Sequence, residues 1–245
     1  MRGARYTIAA LVAVAAIWQF AVIVTGVPRY ILPSVSDVLV AFVNNWSLIG
    51  EHLIVTLTEV VLGLVIGTCL GCVTAIQLEI SRAARLFLRP ILIFSQAIPV
   101  FALAPLLTLW LGYGMISKVA MAILIIYFPV TSSFYDGLVS TPKSYLDLAT
   151  TMGTTQWRQL FLIKVPAAAP SLFSGIRLAA VYAPIGATIG EWVGSSQGLG
   201  YLMLLASGRV KIDLMFASLL TLGVMSMGLY AIISVILSRL SRFNG

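Results

Sequence analysis

A chain of 245 residues that is 60% hydrophobic and 9% charged, with a mean hydropathy of +1.04, carries more apolar surface than a soluble core of that size can bury. Its formal net charge of +7 is scattered between apolar stretches and forms no continuous basic stripe, which argues against a nucleic-acid surface and leaves membrane topology as its source. At about 20 apolar residues per crossing, the expectation is an all-α integral membrane protein with about six transmembrane helices in one domain, 1–245.

The first expected span is Tyr6–Gly26, inside the opening MRGARYTIAALVAVAAIWQFAVIV. Its apolar run is longer than that of a signal peptide and no clear cleavage site ends it, so retention as a helix is favoured over removal. Pro28 and Pro33 then break the helix, and Ser34 or Ser36 is placed to cap a short amphipathic one along the outer membrane surface. The second span, His52–Leu78, carries Gly63, Gly67, Gly71 and Ala75 at four-residue intervals, a ridge of small residues that reads as a helix-packing face. Cys69 and Cys72 make a CxxC in the same span. An apolar setting favours the neutral thiol and no second cysteine pair completes a zinc site, so they read as small packing residues and no metal site is expected. His52, the only histidine, sits at a membrane edge as an interfacial residue.

The third span, Phe87–Leu111, contains Pro90, Pro99 and Pro105 together with Ser95 and Gln96, and predicts a bent helix that turns free carbonyls toward a central passage. The fourth, Ile116–Phe134, and fifth, Ala167–Ile189, carry Pro129 and Pro184; the sixth is Leu214–Leu237. Glu59 and Arg177 lie inside spans and require partners, with a structural ion pair, a gating contact and a passage-lining role all open. Glu191, near the end of the fifth span, is placed to reach water. Gln96, Trp110, Tyr127 and Tyr182 can line a passage, although membrane aromatics more often pack or anchor.

With a cytoplasmic N-terminus, that side receives Arg2, Arg5, Arg82, Arg85, Arg89, Lys143, Arg158, Lys164, Arg239 and Arg242, against Arg29, Lys118, Arg209 and Lys211 on the other. The excess puts both termini and the polar island of residues 135–166 in the cytoplasm. Within that island, Tyr145–Thr151 predicts a short helix, Gly153 a sharp turn, and Thr155 the cap of a second helix ending before Pro166. No G-x-x-x-x-G-K-[ST] loop, H-E-x-x-H pair or G-x-S-x-G elbow occurs. Energy for active transport therefore comes from an ion gradient or from another subunit.

Asp147, Ala149, Gly153, Ile163, Val165 and Pro166 stand at the spacing of the E-A-A-x3-G-x9-I-x-L-P motif of ATP-binding cassette importer permeases. Asp147 replaces the motif's glutamate, Leu148 its first alanine and Val165 its leucine. The chain resembles the branch of that family serving nitrate, sulfonate, taurine and thiamine-precursor uptake, through ILPSVSDVL, PVFALAPLLTLWLGYGMISK, FPVTSSFYDGL and GEWVGSSQGLGYLM. The resemblance implies the type I importer permease fold, two permease copies around the pathway, and two separate ATPase subunits that bind ATP and Mg. It also implies an extracytoplasmic solute-binding protein and a bacterial inner-membrane location, with no cofactor in this chain. Carried over, Asp147, Ala149 and Trp157 supply docking surface for the ATPase, Gly153 the turn, and Pro166 the return into the membrane; Trp157 reads equally well as an interfacial anchor. GEWVGSSQGLGYLM is most similar to members assigned to hydroxymethylpyrimidine, with sulfonates, taurine and nitrate as competitors. The rival class is an independent secondary transporter or channel using Glu59, Arg177 and Glu191 as an ion relay.

Overall fold

A computed structural model describes residues 2–243, and the described residues are helical throughout, with short turns between helices. Helix α1 spans Arg2–Thr25 and leads through the Pro28 and Pro33 turn to α2, Val35–Asn44. Ser34, not Ser36, is the cap. Its hydroxyl takes the Asp37 amide while the Asp37 carboxylate takes the Ser34 amide, a capping box. The bonded Ser34 hydroxyl, with help from the Ser34 amide and Arg29, holds the Asp37 carboxyl below its ordinary value. Trp18 and Gln19 of α1 reach the same turn, donating to the Pro33 carbonyl at 3.1 Å and accepting from the Val35 amide at 3.0 Å.

Helix α3, Trp46–Ile80, is followed by α4, Arg82–Ala97, and α5, Val100–Leu111. The expected single span over Phe87–Leu111 is instead this pair, bent by 104°. Pro99 deprives the helix of a donor and forces Ile98 into extended backbone, so the break falls at their junction. Pro90 and Pro105 stay inside their helices. Helix α6, Met115–Val139, precedes α7, Lys143–Thr151, and α8, Gln156–Gln159. A π turn over Leu160–Lys164 then runs into α9, Val165–Gly194. A tenth helix, α10 at Leu199–Gly208, lies outside every expected span and leads to α11, Ile212–Phe243.

Among the described residues, four helical segments are long and apolar enough to cross a membrane, and the bent pair taken as one span makes a fifth. The sixth expected span falls on α1, a helix of 24 residues in which several side chains before Val12 lie outside the described residues. The side chains of Arg2, Arg5 and Arg242, used in the topology argument, lie outside the described residues.

Helix α6 is the centre of the bundle, gripped by α3 on one side and α9 on the other. The small residues make this possible. A Cβ on Gly63 would stand 2.5 Å from the Ala122 Cβ, on Gly67 2.7 Å from Ile126, and on Gly71 2.9 Å from Val130, so the ridge sits directly against α6. From the other side, a Cβ on Gly186 would meet the Ala122 backbone at 2.7 Å. Cys72 packs against the resulting core of Val60, Leu64, Ile126 and Val130, while Cys69 is exposed. The C-terminal end of α10 closes with Val210 at φ 59, the position of a helix stop where glycine is the usual residue.

Candidate functional site

Three features along the bundle could carry function: a turn between short helices at one end, a groove beside α6, and a buried polar cluster at the other end.

At the first end, α7 stops in a two-bond motif. The Thr154 amide donates to the Ala149 carbonyl at 3.1 Å and the Gly153 amide to the Thr150 carbonyl at 2.9 Å. Gly153 holds φ +75, a conformation that L side chains rarely adopt, and a Cβ there would meet nothing within 4 Å. Thr155 caps α8, and Gln159 Nε2 reaches back to the Thr150 hydroxyl at 3.0 Å, stapling the two helices together. Asp147, Leu148, Met152 and Trp157 are exposed on this segment, and Trp157 stacks on Phe161 with centroids 6.1 Å apart. Ala149 is buried at 5%, so it packs inside the turn and offers no docking surface of its own. Ile163 is half-buried. Pro166 does not end a helix. The Val165 amide bonds five residues back to Leu160, and this wider turn carries the chain past a proline that has no amide to give.

Gln96 and Tyr182 come together across a groove of about 480 Å³ between α4, α6 and α9, with Phe128, Ser132 and Ser133 on its wall. No charged side chain lines it. It adjoins a smaller hollow of about 260 Å³ that shares Phe128 and Ser132 and bears Arg89 and Asp136. Tyr127 is not in the groove; its hydroxyl is 2.8 Å from that of Thr74, between α6 and α3. Trp110 is 70% exposed on α5, and no lining of the groove includes it.

The cluster at the opposite end is built around Glu191, which is 1% exposed and does not reach water as the sequence suggested. One carboxylate oxygen accepts from the Thr56 hydroxyl at 2.6 Å and the other from the Gly200 amide at 2.5 Å. Thr56 in turn accepts from the Leu199 amide at 2.8 Å, and His52 Nδ1 from the Gly198 amide at 2.9 Å. Three successive amides at the start of α10 are thereby held by side chains of α3 and α9. Gly198 fits because it lies at φ +105 and a Cβ would fall 2.2 Å from the Glu191 carboxyl carbon. Glu59 is 2% exposed and faces Glu191 and Lys118; it makes no ion pair with Arg177, which is half-buried on α9. Lys118, counted above as a topology charge, is 1% exposed and donates to the Tyr113 and Gly194 carbonyls at 2.5 and 2.7 Å, capping the end of α9. Periodicity cannot reveal such a cluster, since its members come from four helices. The only sequence signal was the presence of carboxylates inside apolar spans.

The family model described as "Binding-protein-dependent transport system inner membrane component" matches residues 67–243. The chain is 50% identical over 223 residues to a "Probable ABC transporter permease protein" of Haemophilus influenzae, covering 91% of each chain. It is 39% identical over 186 residues to the "Formylaminopyrimidine transport permease protein ThiX" of Halalkalibacterium halodurans, covering 76% of this chain and 74% of the relative. Among solved structures, one reported as "Crystal structure of an amino acid ABC transporter with histidines" superposes with a TM-score of 0.66 at 15% identity, over 83% of this chain and 97% of that one.

Proposed function

Because this chain belongs to the family of binding-protein-dependent transport system inner membrane components and is an ABC importer permease subunit, we propose that it works as a homodimer with two ATPase subunits and an extracytoplasmic binding protein. The coupling segment from α7 to α8 carries this reading: a stapled pair of short helices with Gly153 at the turn and Trp157 exposed beside it. ATP draws the two ATPases together, the docked segments move with them, and the passage opens outward to receive solute. Hydrolysis returns it inward. The segment and Arg85 line a common pocket, which supports placing the loop before α4 and the coupling segment on one side of the membrane, the cytoplasmic one by their basic residues. Both termini lie on that side.

The solute we assign is a neutral heteroaromatic of the hydroxymethylpyrimidine type. The groove supports this, since Gln96, Ser132 and Ser133 offer donors and acceptors, Phe128 and Tyr182 offer ring faces, and its own lining holds no cation for a sulfonate or nitrate, while Arg89 of the adjoining hollow shares that hollow with Asp136. The formylaminopyrimidine named for one relative belongs to the same chemical class. In vesicles holding all three components, excess unlabelled hydroxymethylpyrimidine should abolish uptake of the labelled compound and taurine should not. Tyr182→Ala should lower that uptake roughly fivefold, the effect of about 1 kcal/mol of lost ring contact. Taurine uptake that outpaces pyrimidine uptake would reverse the assignment.

A further inference from the structure

We propose that Glu79 and Lys164 form a positioning strut through which the coupling segment moves α3 as well as α9, an inference that rests on the importer reading above. Glu79 is the penultimate residue of α3, where the negative end of the helix dipole disfavours a carboxylate unless a cation answers it. Lys164 is the last residue of the π turn joining α8 to α9, and its Nζ donates directly to Glu79 Oε1. The two side chains are 12% and 20% exposed, shielded by Ile80, Trp157 and Leu160 around a pocket of about 320 Å³. Water therefore screens this pair far less than a surface ion pair. Among the described residues the other ion pair, Arg29–Asp37, joins positions eight apart, whereas this one spans 85 residues of sequence.

Its position gives it mechanical meaning. Chain continuity alone links the coupling segment to α9. The strut adds a charged tie to α3, beside the apolar cluster that Leu160 shares with Ala75 and Leu78; the Gly63, Gly67 and Gly71 ridge of α3 bears on α6, and α6 carries Phe128 and Ser132 of the groove. A displacement of the segment thus reaches both helices that clamp α6, and the groove wall moves with them.

Glu79→Gln and Lys164→Met should each lower solute taken up per ATP hydrolysed by roughly fivefold or more in reconstituted vesicles, the range typical of coupling between sites. The reversed pair, Glu79→Lys with Lys164→Glu, should restore most of that ratio, a rescue that misfolding of the single variants would not permit. Single variants with the wild-type ratio would overturn the strut while leaving the importer intact, and so would single losses that the reversed pair fails to repair. A wild-type complex without ATP-driven uptake would instead overturn the importer reading beneath it.

Discussion

Gly153→Val should lower ATP-driven uptake by roughly tenfold or more, the factor that about 1.4 kcal/mol commands at 25 °C, while the chain remains in the membrane. The cause is backbone conformation. A valine Cβ at this position would meet nothing within 4 Å, so crowding contributes nothing, but φ +75 costs an ordinary L residue about 1–2 kcal/mol and a β-branched one more. The cheapest escape is to unwind the two-bond stop that joins Thr154 to Ala149 and Gly153 to Thr150, which frees α7 from α8. The segment then yields under load instead of transmitting it. Gly153→Asn is the matched control, because asparagine tolerates this conformation and should keep most of the activity. Uptake assays on equal amounts of membrane-inserted permease decide the matter; normal uptake by Gly153→Val would remove the turn from the mechanism.

Glu191→Ala is expected to be the most damaging single change at the opposite end. It removes the acceptor of both the Thr56 hydroxyl and the Gly200 amide inside a site sealed from solvent, and Lys118 keeps only Glu59 as a facing carboxylate. Buried donors stripped of a charged partner cost about 3 kcal/mol, which for a chain of this size corresponds to a fall of roughly 10 °C in melting temperature. Glu191→Gln keeps the shape and one acceptor oxygen, and should fall between the two. The start of α10 is the part that loosens first, so hydrogen exchange at Gly198, Leu199 and Gly200 should rise in step with the loss of stability. A melting temperature within about 2 °C of wild type would show that the cluster does not hold α10 in place.

Local chemistry was legible in the sequence wherever it is local. Ser34 and Thr155 cap helices because short oxygens precede apolar runs, Gly153 takes the left-handed turn its neighbours leave open, and the four-residue glycine period of α3 finds α6. What the sequence withheld depends on distant partners or on competing preferences. Pro99 breaks its span while Pro90 and Pro105 stay inside their helices, a difference that residue type alone does not foretell. Pro166 looks like a helix stop, yet a π turn carries the chain through it. Glu59 invited pairing with Arg177, but the bundle brings Glu191 and Lys118 to it instead. Lys118 reads as a topology charge at the start of a span until three dimensions place the Tyr113 and Gly194 carbonyls around its ammonium group. Ala149 stands at a motif position expected to offer docking surface, yet its side chain is buried while its carbonyl anchors the turn.

The most direct test of the central claim is a component-omission experiment. This chain, its ATPase and the binding protein would be reconstituted together into proteoliposomes, and uptake of labelled hydroxymethylpyrimidine measured with ATP present and each component left out in turn. The importer account predicts uptake only when all three proteins and ATP are present. Uptake by this chain alone, driven by an imposed ion gradient and indifferent to ATP, would contradict it.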